Sequence, residues 1–346
     1  MYKINLIIFV LIQFTFLSCN STQNDHISSD KSQTFRNVNF ADLKEIFSSK
    51  SKGVYLSYDT LNHDLGTIIL IDLISKKSIK LYDNTFYNSN PIFFENGTKI
   101  LFASAQVGYL SQLRLTKYHA WRQLYLLDSD DLSITPFFYD NVEDDYDIKK
   151  YNCLSWDSLR NKIYFSNEDN KIFSLSVEDK QPKLLYALDK KERIWNLDLS
   201  PNKNYIAFDH DNFDTDYSCL SIYDISLDSV TIEMKSKTNF IRFLGWSFDN
   251  DIFYRSDSII YQLNLNSNNP QKFDPKLTME DYFVLKIFPE SDQTAILLVD
   301  KLKYNPKIKY KVTTSTEIAR YNFHSQKIEW ITNDGSQKGD LNLLIN

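Results

Sequence analysis

The densest group of reactive side chains is Asp209-His210-Asp211-Asn212-Phe213-Asp214-Thr215-Asp216, with four carboxylates and an imidazole. Two chemistries suit such a run. Clustered carboxylates attract Ca²⁺, which takes several oxygen ligands. Carboxylates beside histidine can also move protons, with Asp209, Asp211 and Asp214 as acids and His210 and His119 as bases. The glycine and the closing glutamate of an EF-hand loop are missing, so no metal or other cofactor is expected, and His210 is read as a surface residue. A second acidic run is Asp140–Asp147.

Binding chemistry is carried by two other stretches. Ser104–Arg122 holds Tyr109, Arg114, Lys117, Tyr118, His119, Trp121 and Arg122, and aromatics beside arginine are the usual anchors of interfaces. Lys301–Thr316 interleaves Lys301, Lys303, Lys307, Lys309 and Lys311 with Tyr304 and Tyr310. The plainer reading of this second stretch is a long hairpin whose lysines face water. No catalytic residue is assigned, because GxSxG, HExxH, CxxC, Walker and GxGxxG patterns are all missing. Cys153 and Cys219 lie far apart in sequence and read equally well as a disulfide or as two buried thiols.

The elements that position these residues repeat. Leu197–Glu233 reads as four short strands, and variants of it recur. Second strands align on Val54, Ile100, Ile163, Ile206, Ile252 and Ile296, and third strands on Ile68, Leu124, Ile172, Leu220, Ile260 and Ile318. Four residues after each third-strand position stands a small polar residue: Asp72, Asp128, Ser176, Asp224, Asn264 and Asn322. Four strands at a period of about 45 residues are the signature of a β-propeller. A β-sandwich would not predict the two aligned columns.

Six units imply six blades of four strands, an all-β fold. The first blade starts one strand short, and Leu341–Ile345 is a spare strand at the other end, so the C-terminal strand should close the ring by pairing with Val54–Tyr58. In this topology the long stretches above fall on one loop-rich face. Asn39 is placed to cap a helix over Phe40–Ser48, with Phe40, Leu43, Ile46 and Phe47 on one face.

Composition agrees. Aromatic residues are 15% of 346, with 22 Tyr and 24 Phe, which favours strands. Only 7 glycines are present, so turns must lean on Asn and Asp. The formal net charge of −6 gives no electrostatic case for nucleic acid.

With Ser200-Pro-Asn-Lys-Asn, Ser247-Phe-Asp-Asn-Asp, Phe94-Glu-Asn-Gly and Pro289-Glu-Ser-Asp as partial turn signatures, the repeats resemble the six-bladed propeller of the TolB family over roughly Val54–Asn346. That resemblance implies an envelope protein that binds other proteins through one face or the central channel. Phe16-Leu17-Ser18-Cys19, after the apolar run Ile4–Leu17, resembles the bacterial lipoprotein box and implies a lipid on Cys19. The expected organisation is a signal peptide over 1–18, a lipidated Cys19 and polar tether over 19–38, a helix and linker over 39–52, and the propeller over 53–346. The expected function is a lipid-anchored, monomeric envelope module binding a protein or a glycan. The outer membrane is the expected location, with the domain periplasmic or surface-exposed. The alternative is a propeller hydrolase or lyase with an acidic site at the channel mouth.

Overall fold

Six four-stranded antiparallel sheets form the ring of a β-propeller in the computed structural model, which describes residues 39–59, 62–82, 87–105, 123–137, 151–167, 170–212, 214–273, 282–308 and 310–345. All of them belong to one unit, Phe35–Asn346. Cys19, the tether and the signal segment lie outside the described residues. The innermost strands of blades 1 to 6 are Gln337–Ile345, Tyr87–Phe94, Tyr151–Asp157, Glu192–Leu199, Ile241–Trp246 and Tyr282–Pro289.

Both columns of apolar positions are core. The second-strand positions are fully buried, and the third-strand positions are at most 2% exposed. Each blade has two apolar faces that only its neighbours can cover. The core is accordingly divided into six clusters, one between each pair of neighbouring blades. Val54 and Ile100 share the cluster between blades 1 and 2, and Ile296 meets Ile71 between blades 6 and 1.

The polar column makes turns. The side-chain oxygens of Asp72, Asp128, Asp224, Asn264 and Asn322 accept from backbone N–H groups two or three residues on. These Asx turns start every third-to-outer connection except that of blade 3, where Ser176 uses only its carbonyl. Four residues after each column member the backbone is left-handed, with φ of 50–61° at Lys76, Leu132, Lys180, Asp228, Asn268 and Gln326. Glycine is not needed where the Asx oxygen already holds the turn.

The C-terminal strand closes the ring as expected, with a different register. It starts at Gln337 rather than Leu341, and pairs Ser51–Val54 with Asn342–Ile345 and Leu56–Tyr58 with Gln337–Gly339. The expected pairing of Leu341–Ile345 with Val54–Tyr58 is displaced by three residues, because the closing strand begins at Gln337 and its first residues take the partners Leu56–Tyr58; an extra residue opposite Tyr55 shifts the register by one more within the strand. Such a bulge recurs in all six inner strands. It turns side chains toward the axis, as bulges do where ordinary pleating would not.

The helix Phe40–Ser48 is capped by Asn39, whose side chain accepts from Ala41 N at 3.1 Å. Leu43 and Ile46 are buried in the cluster of blades 1 and 2. Phe40, expected on the same packed face, is exposed at the first position of the helix.

Candidate functional site

The acidic run of the fourth blade is not a loop. Tyr205–Asn212 is a continuous second strand, and only the residues after it turn. Alternation along the strand then separates the side chains. Asp209 and Asp211 face blade 5, while His210 faces the other way and is fully buried rather than at the surface.

The three carboxylates have separate partners. Asp209 is fully buried and accepts from Asn196 N (2.7 Å), Asn196 Nδ2 (3.0 and 3.1 Å) and Phe243 N (2.9 Å). Burial pushes its carboxyl up, against the opposing pull of Arg242 and these donors. It stitches the inner strands of blades 4 and 5 together. Asp214 pairs with Lys191 at the surface. The acid–base set expected from the sequence does not assemble: every acid has its own partners, and His119 lies outside the described residues.

Asp211 does hold a site. It receives both Nη groups of Arg242, at 2.9 and 2.6 Å, and the indole Nε1 of Trp195 at 2.6 Å. Arg242 lies 4.3 Å from the Phe240 ring centre and 5.6 Å from that of Trp195, and Arg193 covers Trp195 at 4.6 Å. Trp195 is 37% exposed and Phe240 59%. The result is a fixed row of cations and aromatic rings at the channel mouth. Two further cation–ring pairs lie on blades 5 and 6, the buried Arg255 at 3.5 Å over Phe283 and Lys301 at 4.0 Å over Trp330 of the outer strand.

None of Arg193, Trp195, Phe240 or Arg242 stood out in sequence. A signal was present, since Arg193-Ile-Trp195 and Phe240-Ile-Arg242 stand at the starts of consecutive inner strands with large aromatic or cationic residues at alternate positions. Short strand ends are easily read as core when their aromatics are counted.

Beside this row stands the hairpin of blade 6, Thr294–Asn305 and Tyr310–Asn322. The stretch Lys301–Thr316 is therefore a long hairpin, as the plainer reading of the sequence had it, with paired strands to Asn305 and from Tyr310. Beyond Lys301 and Ser315 its two strands pair, among the described residues, only with each other, and form an arm. Tyr304 is 55% exposed and Tyr310 73%, with Lys303 between the blade and the tip. Tyr109, Arg114, Tyr118, His119, Trp121 and Arg122 lie outside the described residues, as does Asp140–Asp147.

Inside the channel the bulge residues Asn90, Cys153, Trp195, Leu244 and Asp340 line a cavity of about 110 Å³, with Lys286 and Asp198. Cys153 and Cys219 are free thiols, and Cys153 donates to Trp195 O at 3.2 Å. At the opposite mouth a cavity of about 390 Å³ is walled by Trp156, Trp246, Phe248 and Phe288, with Asp198 at its inner end. Burial pushes the Asp198 carboxyl up, although Lys286, Ser155 Oγ at 2.9 Å and Leu199 N at 2.8 Å pull the other way.

No family model matches the chain, and no curated protein sequence matches it significantly. Solved structures do match in fold. TolB from Acinetobacter baumannii superposes with a TM-score of 0.59 at 12% identity, over 85% of this chain and 66% of that protein, so the chain spans just under two thirds of its length. A putative TolB from Agrobacterium tumefaciens gives 0.55 at 10% identity, over 84% and 91%. An oligogalacturonate lyase in complex with manganese gives 0.49 at 9%, over 81% and 85%. The chain has a TolB-like six-bladed propeller fold.

Proposed function

We propose that this TolB-like propeller is a lipid-anchored envelope module that binds a partner protein through its loop-rich face. The observation that carries the reading is the Arg193–Trp195–Arg242–Phe240 row. It combines exposed tryptophan, phenylalanine and arginine, and tryptophan and arginine are the residue types that dominate interface hot spots. Asp211 holds Arg242 and Trp195 in place before any partner arrives, which lowers the entropy lost on binding. The arm with Lys303, Tyr304 and Tyr310 adds cationic and aromatic surface. An acidic protein surface complements this chemistry, and a glycan stacking on the same rings is the second outcome to distinguish.

The anchor is the lipid expected on Cys19, and the polar tether would hold the propeller off the membrane. An envelope pull-down with the lipidated protein tests the reading. Wild type should capture a partner that Trp195→Ala and the Tyr304→Ala/Tyr310→Ala pair lose by at least about tenfold, the scale of one hot spot. Equal capture by wild type and both variants would remove this face from the function. Capture abolished by free glycan would replace the protein by a sugar.

A further inference from the structure

On the face of blade 4 that looks away from the channel-mouth row, three donors meet. His210 on the second strand lies directly opposite Cys219 on the third strand, Tyr217–Asp224. Ser221 lies opposite Glu233 on the outer strand, Ser229–Ser236, so Glu233 shares the face of Cys219. One ligand atom from each of His210, Cys219 and Glu233 lies within 4.8 Å of the other two. His210 and Cys219 are fully buried, and Glu233 opens to solvent at the edge of the blade.

We propose that His210, Cys219 and Glu233 form a binding site for a zinc-class divalent metal ion, entered from the outer edge of blade 4. The donor set is what points to that class. Imidazole nitrogen, thiolate sulfur and one carboxylate suit Zn²⁺ and the late transition metals, not Ca²⁺ or Mg²⁺, which take oxygen. The carboxylates that suggested calcium in the sequence face the other way and are occupied, while the histidine among them faces a sulfur.

A second observation comes from the histidine itself. Its Nδ1 is buried without a hydrogen-bond partner, with Glu192 Oε1 3.5 Å away. A carboxylate behind a ligating histidine fixes the tautomer that leaves the other nitrogen free for metal. That other nitrogen, Nε2, touches Ser221 Oγ at 3.1 Å, and Cys219 Sγ touches the same oxygen at 3.6 Å. Ligands about 2.0–2.3 Å from a tetrahedral ion stand roughly 3.3–3.7 Å apart, so the donors must close by up to about 1.5 Å. Glu233, exposed on the outer strand, has the freedom to do so. Three protein ligands leave a fourth position to water. On binding, the Cys219 S–H bond breaks, its proton goes to solvent, and the thiolate pair bonds the ion.

The opposing group is Lys235, whose Nζ holds Glu233 Oε2 at 3.1 Å and stacks 5.2 Å over the Tyr217 ring. The ion must displace this ammonium, which gives the proposal a signed test. Co²⁺ is titrated into the purified full chain and followed by absorption. Saturation at one ion per chain is expected, with a sulfur-to-cobalt charge-transfer band that Zn²⁺ abolishes and Mg²⁺ does not. Cys219→Ser should remove that band. Glu233→Gln, on an exposed position that leaves the fold intact, should weaken affinity at least about tenfold. Lys235→Ala should tighten it. Failure to saturate, a band that survives in Cys219→Ser, or unchanged affinity in both Glu233→Gln and Lys235→Ala would overturn the site.

Discussion

Replacing Lys338 by methionine tests how the ring is locked. Lys338 lies on the closing strand with its side chain fully buried. Its ammonium donates to Glu317 Oε2 at 3.0 Å, Asp334 Oδ1 at 2.6 Å, Ser336 Oγ at 2.8 Å and Thr316 O at 3.2 Å. Glu317, on the third strand of blade 6, is also fully buried. This pair therefore joins the last strand of the chain to the sixth blade at the seam of the ring. Removing one partner of a buried pair leaves an uncompensated charge and costs about 3–5 kcal/mol. An unfolding entropy of about 2.1 cal/mol/K per residue over roughly 300 residues gives about 0.6 kcal/mol per degree, so Lys338→Met should lower Tm by about 5–8 °C. Glu317 keeps Gly335 N at 3.0 Å on Oε1 and Thr332 Oγ1 at 2.7 Å on Oε2, and in a glutamine the amide oxygen can take the first while the amide NH₂ donates to the hydroxyl of the second. The double variant Glu317→Gln/Lys338→Met should accordingly recover at least half of the loss. Calorimetry on the four members of this cycle measures the coupling. A drop under about 2 °C in the single variant, or additive losses in the double one, would refute the claim that charge compensation at the seam matters.

Deleting Asp340–Asn346 should be more damaging, because Leu341, Leu343, Leu344 and Ile345 pack in the clusters on either side of blade 1. Counting Leu341 at about 1.5–3 kcal/mol and the three half-buried side chains at about half that each, the loss is about 4–8 kcal/mol, or roughly 6–12 °C in Tm, and a truncated chain melting like wild type would rule the closure out. Burial raises both carboxyls, but Asp198→Asn and Asp209→Asn should differ in sign, because the donors to Asp198, Ser155 Oγ and Leu199 N, share one oxygen whereas those to Asp209 occupy both. Burial raises the folded pKa of Asp198, so its contribution to stability is held at low pH and lost as pH rises through that value. The asparagine variant should thus melt higher than wild type at alkaline pH and converge with it in acid. Asp209 meets only donors, from Asn196 and Phe243, so an amide NH₂ there leaves donor facing donor and should cost about 1–3 kcal/mol at neutral pH by thermal unfolding. Cys19→Ala should release the protein from membranes or block its processing, and membrane fractionation showing wild-type behaviour would remove the lipid anchor.

Sequence alone determined the architecture, because its signal is repeated. Val54, Ile100, Ile163, Ile206, Ile252 and Ile296 each face an interior that only a neighbouring blade can cover, and six such positions reinforce one another. The Asx column was legible for the same reason: Asp72 or Asn264 shapes a turn through its own backbone neighbours, within reach of local spacing. The closing strand could be seen as a missing piece, but its register could not. Its register depends on where the strand starts and on a bulge within it, and the bulges of blades 1, 2 and 3 carry no glycine, since Asp340, Asn90 and Cys153 take left-handed φ of about 50°.

The site was decided by tertiary structure. Asp209, His210 and Asp211 look like one cluster along the chain, yet a strand sends neighbours to opposite faces. The turn of one residue sends Asp211 to Arg242 of the next blade and His210 to Cys219 and Glu233 of its own. Trp195 and Phe240 became a pair only because two inner strands stand side by side around the axis, and Arg242 lies within reach of both. Spacing along the chain carries the period of a fold, because the period is a property of each unit. It does not carry which side chains from different units converge, because that depends on the angle between blades and on the pleat of each strand.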